Sequence, residues 1–421
     1  MVINRCIEPK SKIRITDWVS KTALPALHKC DTLPGEYAVY PELDYISKHE
    51  VLLQSHLYKE LEKVDVSLGQ GFFYDITSTY MEGSQCVIAK CGYSKDHRPD
   101  LEQIVIALMI TSLGSPFYWK VLDGNTQDVT TLPMLVDDIK DRFNLTSCHL
   151  VFDRGMVSSD HLAYLESKGM TYLTAMDKDE IACDPLFNEF MPTPVTIENY
   201  KQVLSSFKFN PTDDSENFYT REGIDGKRKY IFCFDAIRFT IDVKNREKRM
   251  TQVTKWISEK NKNLLNAKKT RKLEPLERDT KDMIKKRKFK NILQVNITPI
   301  TLSLTNKNGK VRSIQSYKID LTTDTANYDR AKRLDGITCF ITNILEMPHV
   351  SAIQKYRDKN KIEEAFNEMK SVLDLRPVYL SITERVKAHV NICVLAYLLM
   401  NIIEIMLKKE QVYNTAVDVI D

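Results

Sequence analysis

No pair of cysteines in this 421-residue chain has the Cys-x-x-Cys spacing of a redox or zinc motif. The nine cysteines, at 6, 30, 86, 91, 148, 183, 233, 339 and 393, are scattered and odd in number. That pattern excludes a disulfide framework and fits reduced thiols packed in cores. Cys86 and Cys91 lie near each other but lack a second Cys/His pair to complete a zinc site. A secretory signal is not expected, because Met1–Lys12 is charged and has no apolar centre. A membrane span is not expected either. The most apolar stretch, Ile392–Leu407, is shorter than the roughly 20 residues a bilayer requires and carries Asn401 and Glu404. Internal repeats and low-complexity tracts are missing, and the net charge of +3 is small. What remains is a soluble, cytoplasmic protein of one to three domains.

The charge that is present is unevenly placed. Between Lys244 and Lys290 stand 18 Lys/Arg against 6 Asp/Glu, so the rest of the chain is net acidic. Such asymmetry reads either as a solvated charged helix or as an arm that faces nucleic acid. Trp256 on this arm is a candidate for stacking on a base, whereas Trp119, inside a core strand, reads as structural.

The order of elements is clearest from Gly71 to Ala175. Phe72–Thr79 reads as a strand with Asp75 in its middle. Gln103–Thr111 and Phe117–Leu122, joined through Leu113-Gly114-Ser115-Pro116, read as a hairpin. Asp128–Phe143 places Leu132, Leu135, Val136, Ile139 and Phe143 at helical spacing. His149–Phe152 is a short strand ending on Asp153. Ser158–Lys168 is a serine-capped helix, closed by Gly169 before the strand Thr171–Ala175. The order β-β-β-α-β-α-β is that of a ribonuclease-H-like mixed α/β sheet flanked by helices. In that topology the first and fourth strands are neighbours, so Asp75 and Asp153 should converge.

Beyond this core the pattern changes. Lys229–Val243 reads as strand and Lys244–Lys290 as a long charged helix interrupted by Pro275. Leu293–Leu304 and Lys310–Leu321 read as strands with a turn near Asn306–Gly309. Gly336–Thr342 and a last helix, Val386–Lys408, return to the core. The expected division is an N-terminal segment 1–70, a first core part 71–178, a mixed β/α insertion 179–333 and a second core part 334–421.

The fifteen residues Tyr356–Lys370 carry the most chemistry. Tyr356, Glu363 and Lys370 are spaced by seven, and Lys359 lies four before Glu363. A heptad step drifts by only about 20° on a helix, so one helix would line up all four. Ile362, Ala365, Phe366, Met369 and Leu373 form the apolar back. Asp75, Asp153 and Glu363 are hard oxygen donors of the kind preferred by Mg²⁺ or Mn²⁺. Gathered together they would repel one another unless a cation intervened. Two such ions could activate a nucleophile and steady a leaving 3′ oxygen.

These motifs resemble those of bacterial insertion-sequence transposases with an Asp-Asp-Glu triad, in the IS-four group and its close relatives. The hallmark of their last catalytic helix is Tyr, two residues, Arg, three residues, Glu, six residues, Lys. Tyr356, Glu363 and Lys370 match it, and Lys359 stands where arginine is usual, keeping the charge without the planar fork. FFYDITSTY around Asp75, GYSKDHRPDLEQIVIALMI at 92–110, GNTQD at 124–128, LVFDRGMVS around Asp153, DGITCFITN at 335–343 and RPVY at 376–379 also look like the group. The resemblance implies an enzyme that cleaves DNA at insertion-sequence ends and joins the freed 3′-OH to target DNA. It implies Asp75, Asp153 and Glu363 as catalytic and metal-binding residues, with two Mg²⁺ ions replaceable by Mn²⁺. Tyr356, Lys359 and Lys370 would contact DNA. Double-stranded DNA, a homodimer in the DNA complex and a nucleoid-associated cytoplasmic location follow from the same resemblance. Relatives usually carry a longer N-terminal DNA-binding segment, so two readings of 1–70 stay open: a truncated DNA-binding region, or end recognition that is reduced or relocated. An inactive DNA-binding relic or repressor, and a ribonuclease-H-like nuclease that cleaves without joining, are the alternatives.

Overall fold

Five strands organise the first of two units, which comprises Met1–Ala175, Gly226–Lys229 and Ile341–Asp421. The computed structural model describes all residues except 30, 31, 34, 70, 84, 146, 147, 157, 213–215, 306–309, 413 and 421, and only the backbone of 128, 129 and 420. The strands are β1 (Phe72–Tyr80), β2 (Gln103–Thr111), β3 (Pro116–Leu122), β4 (His149–Phe152) and β5 (Thr171–Ala175). They lie in the order β3-β2-β1-β4-β5. The pairs β1–β2 and β2–β3 are antiparallel, and β1–β4 and β4–β5 are parallel. This is the strand order that the sequence predicts for a ribonuclease-H-like sheet.

Local chemistry explains these elements. Every residue of β2 is buried, which is why its sequence is a continuous apolar run rather than an alternation. The β2–β3 connection turns at Gly114, whose φ of +94° suits glycine. A Cβ there would stand 3.1 Å from Asn401 Nδ2. The helix Ser159–Ser167 begins on Ser158, whose Oγ accepts from the His161 N–H at 3.3 Å. Such a cap contributes about 1 kcal/mol.

The helix Thr383–Lys409 is longer than the apolar stretch in the sequence suggests, and by length and composition alone it could cross a bilayer. Here it packs inside the first unit. Trp119 Nε1 donates to Asn391 Oδ1 at 2.5 Å, and Ser115 Oγ donates to Asn401 Oδ1 at 2.9 Å. Its polar residues thus tie it to the sheet, and Trp119 is a core residue as expected. The N-terminal seventy residues join the same body. Leu43 of the helix Val39–Lys48 clusters with Ala388 and Ile392, and Gln54 Nε2 donates to the Trp119 carbonyl at 2.9 Å.

The second unit comprises Met176–Asp225 and Tyr230–Phe340. The strands β6 (Asn210–Pro211), β7 (Phe218–Asp225) and β8 (Arg228–Asp235) adjoin β11 (Ile337–Thr342) in the order β11-β8-β7-β6. β9 (Leu293–Thr305) and β10 (Val311–Thr323) form a separate antiparallel hairpin. The turn expected at 306–309 lies outside the described residues.

Two expectations fail here for physical reasons. Lys229–Val243 is not one strand: β8 ends at Asp235 and the helix Ala236–Leu265 follows at once. Asp235 caps that helix by accepting from the Arg238 N–H at 2.9 Å. Ala236, Phe239, Val243 and Arg246 are then buried at helical spacing, so packing overrides the β-branched residues among them. Pro275 is not the helix breaker either. The break falls at 266–272, and Pro275 sits in the first turn of Leu273–Lys286, where its missing N–H costs nothing. Trp256 packs against the core cluster of Val253, Ile257, Leu276 and Tyr317, with Lys260 Nζ 5.2 Å from its ring centroid. Those neighbours hold the ring in place, which does not favour a base-stacking role.

Candidate active site

On the parallel strands β1 and β4, Tyr74 stands opposite Phe152. The next residue on each is acidic, Asp75 on β1 and Asp153 just past β4. Strand register alone therefore brings two carboxylates side by side. Glu363 comes from the far end of the sequence and lines the same pocket of about 520 Å³, together with Lys95, Asp96, Lys370 and Arg376.

The predicted single helix from 356 to 373 is in fact two, His349–Asp358 and Asn360–Ser371, meeting at Lys359. Lys359 keeps near-helical angles, φ −55° and ψ −24°, so the stripe survives in part. Ile362, Ala365, Phe366, Met369 and Leu373 are buried as the pattern requires. That buried face holds Glu363 over the ends of the strands.

The carboxylates differ in their surroundings. Asp75 is largely buried; its Oδ1 accepts from the Ile76 N–H at 2.8 Å and lies 3.8 Å from Lys95 Nζ. Burial raises its pKa above the ordinary value, against the opposing pull of Lys95 and Lys359. Asp153 Oδ1 accepts from the Arg154 N–H at 2.8 Å and from the Tyr356 hydroxyl at 3.1 Å. Burial pushes this carboxyl up too, but Lys359, the Arg154 N–H and Tyr356 outweigh it and hold its pKa below the ordinary value. Tyr356 is correspondingly harder to ionise, through burial and then the Asp153 charge. Glu363 is exposed and accepts from Lys359 Nζ at 3.3 Å.

Both predicted DNA-gripping lysines are turned inward. Lys359 is only 4% exposed, and its ammonium lies between Glu363 and Asp153 Oδ2, 3.8 Å from the latter. Lys370 is 8% exposed. It donates to Thr77 Oγ1 at 2.8 Å, to the Ser78 carbonyl at 2.7 Å and to Asp96 Oδ1 at 2.8 Å. An ammonium has three protons, and here all three are used within the unit. Lys370 thus has no proton left for a phosphate, while the Lys359 ammonium is shared between two carboxylates. Both lysines lie on the Glu363 side as their spacing requires, but the strand ends and their carboxylates cover them.

Sequence spacing assigns no role to Asp96 or Arg376, which complete this wall. Asp96, 2% exposed, accepts from both Lys370 and Arg376. Both residues sit inside family-like motifs, GYSKDHRPD and RPVY. A charged Lys-Asp-His triple in the connection between two buried strands is the signal that could have found Asp96.

Among the described residues, no three His, Cys, Asp or Glu side chains close around one point, since Lys359 stands between two of the carboxylates. The donor set nevertheless fits a hard divalent ion. It is all oxygen, it faces one pocket, and Asp75 is a buried carboxyl that a cation would stabilise in its charged form. Asp75, Asp153 and Glu363 are the residues that would hold such an ion.

No curated protein matches this chain. A solved structure similar to it is a piggyBac transposase synaptic complex with hairpin DNA, determined by cryo-EM, at 9% identity and a TM-score of 0.40, covering 100% of this chain and 67% of that one. The family model for the Transposase DDE domain matches residues 70–399. That span runs from the start of β1 into the helix Thr383–Lys409 and includes all three carboxylates, and the chain therefore belongs to the Transposase DDE domain family.

Proposed function

We propose that this chain is a metal-dependent DNA transposase of the insertion-sequence type, with Asp75, Asp153 and Glu363 as its catalytic carboxylates. The observation that carries the reading is the register of β1 and β4, which sets Asp75 beside Asp153 in the pocket that Glu363 also lines. When bound there, Mg²⁺ or Mn²⁺ would supply Lewis-acid polarisation of the phosphoryl oxygens. In the cleavage step, a water oxygen bonds to phosphorus and the P–O3′ bond breaks, leaving a 3′-OH and a 5′-phosphate. In the joining step, that 3′ oxygen bonds to a target phosphorus and displaces the target's own 3′ oxygen. The protein's residues orient these groups. Tyr356 fixes one oxygen of Asp153, Lys359 stands by the other, and the same ammonium pairs with Glu363.

Lys370 is assigned a positioning role instead of a phosphate contact. Its bonds to Thr77 and Ser78 fix β1 two and three residues beyond Asp75, and tie that strand to the Glu363 helix. A homodimer on paired DNA ends remains part of the proposal.

The test is cleavage and strand transfer on duplexes carrying candidate inverted repeats. Asp75→Asn, Asp153→Asn and Glu363→Gln should each lower cleavage by about 10³-fold or more, several kcal/mol of barrier, while duplex binding persists. A variant that cleaves at the wild-type rate would remove that residue from the site. Cleavage without any joined product would favour a nuclease, and binding without cleavage by the wild-type chain would favour a relic.

A further inference from the structure

Apart from the carboxylate pocket, the first unit contains a second pocket, of about 410 Å³, whose charged lining is Arg5, Lys10, Lys12 and Arg376 against one carboxylate, Asp374. Arg5, from the helix Val2–Ile7, and Lys12, from the turn Lys12–Arg14, are 6% and 8% exposed, and both line it. Among the described residues, Lys12 Nζ and Arg5 Nε have no hydrogen-bond partner. Buried cationic groups are ordinarily paired; Asp374 lines the same pocket but accepts no hydrogen bond from Lys12 Nζ or Arg5 Nε, and one carboxylate against four cations leaves the pocket short of negative charge. The nearby histidine does not meet the need. His389 Nε2 lies 3.1 Å from the Leu375 carbonyl, and burial holds its pKa well below the ordinary value. Burial, and then the charge of Arg5, push the Lys12 ammonium down to about 7, with Cys393 and Asp374 pulling the other way.

The remaining walls narrow the class of anion. Tyr40 and Tyr379 offer rings, and Pro377 and Leu380 offer apolar surface. The volume exceeds what a bare oxyanion fills. We propose that this pocket binds the phosphate group of a nucleotide, with Lys12 and Arg5 gripping the phosphate oxygens and Tyr379 covering the base. A guanidinium and an ammonium together balance the near-double negative charge of a terminal phosphate. Base–tyrosine stacking is tolerant of sequence. The phosphate belongs either to a free mononucleotide or to the 5′ end of a DNA strand, which share this chemistry. Arg376 lines both pockets, but Lys12 and Arg5 line only this one, so the proposal does not rest on the metal reading.

Calorimetric titration of the full chain in a chelator, at fixed ionic strength, tests the inference. The probes are inorganic phosphate, thymidine 5′-monophosphate, thymidine, and an oligothymidylate with and without a 5′-phosphate. The monophosphate should bind at least about tenfold more tightly than thymidine. Lys12→Met should weaken the monophosphate by a similar factor, and Glu363→Gln should not. Tyr379 is 68% exposed, so Tyr379→Ala should leave the fold intact. It should weaken the monophosphate several-fold while sparing inorganic phosphate. Tighter binding of the phosphorylated oligonucleotide than of the mononucleotide assigns the pocket to a strand end, and the reverse assigns it to a free nucleotide. Absence of saturable binding by any phosphate probe overturns the proposal, as does affinity unchanged by Lys12→Met. If Lys12→Met does not fold, an unchanged monophosphate affinity in Tyr379→Ala overturns it alone.

Discussion

Replacing Lys370 by methionine separates a phosphate-gripping lysine from a structural one. Methionine keeps the length of the buried stem and deletes the ammonium, with its bonds to Thr77 Oγ1, the Ser78 carbonyl and Asp96 Oδ1. Asp96, 2% exposed, would keep only Arg376 as a charged partner, and its Oδ2 already lacks a hydrogen bond among the described residues. Burial pushes the Lys370 pKa down and Asp96 pulls it back up, with burial the stronger, so the pair as a whole adds little net stability. Removing one partner is different, because the other is left buried. The expected loss is about 3–5 kcal/mol. Urea unfolding followed by tryptophan fluorescence reads it, since Trp18 and Trp119 report on the first unit and Trp256 on the second. Adding Asp96→Asn should restore part of the loss, giving a coupling of about 0.5–3 kcal/mol. Binding to random duplex over a salt series should keep its slope. The reasoning is refuted if Lys370→Met stays within about 1 kcal/mol of wild type and the slope of log K against log[salt] falls by about 0.9, the value for one phosphate no longer neutralised.

Three further outcomes are expected. Cleavage should require Mg²⁺ or Mn²⁺ and stop in a chelator, with Ca²⁺ supporting binding but little chemistry; cleavage that survives the chelator would discard the metal reading. Asp75 has a folded pKa raised chiefly by burial, so its protonated form favours folding. The stability this gives is fully present below the unfolded pKa of about 3.9 and is lost as pH rises through the folded value. Asp75→Asn in a chelator should therefore raise the unfolding midpoint at neutral pH, with the gain shrinking towards pH 4, and a midpoint difference that does not vary with pH would contradict the burial argument. Finally, Lys285, Lys286 and Lys288 are exposed at the end of the basic helix pair. Replacing all three with glutamine should lower affinity for every duplex alike and flatten the salt slope by about 0.9 for each phosphate they had neutralised, whereas an unchanged slope would mark them as a solvated face.

Much of the first unit was legible because its signals are local. The buried run Gln103–Thr111, the turn at Gly114 and the cap at Ser158 each carry their own instruction, so β1 to β5 could be ordered from the chain alone. The pairing of Asp75 with Asp153 followed from that order, because parallel neighbours share a register. The apolar face of the Glu363 helix was equally plain in its spacing. What failed was non-local. Lys229–Val243 is rich in β-formers, yet the cap on Asp235 and the packing of Phe239 and Val243 decide for helix. Lys370 looked like a surface cation because helical spacing says which face a residue occupies but not what covers that face. Asp96, Thr77 and Ser78 cover it, nearly three hundred residues away in sequence. Arg5 and Lys12 were likewise only charges in a polar N-terminus until His389 and Arg376 appeared beside them in one pocket. The sequence by itself determined β1 to β5, the apolar face of the Glu363 helix and the three carboxylates proposed for the site, since backbone propensity and burial pattern act over a few residues. The tertiary structure alone decided which lysines are buried, because desolvation and ion pairing depend on distances that no local pattern encodes.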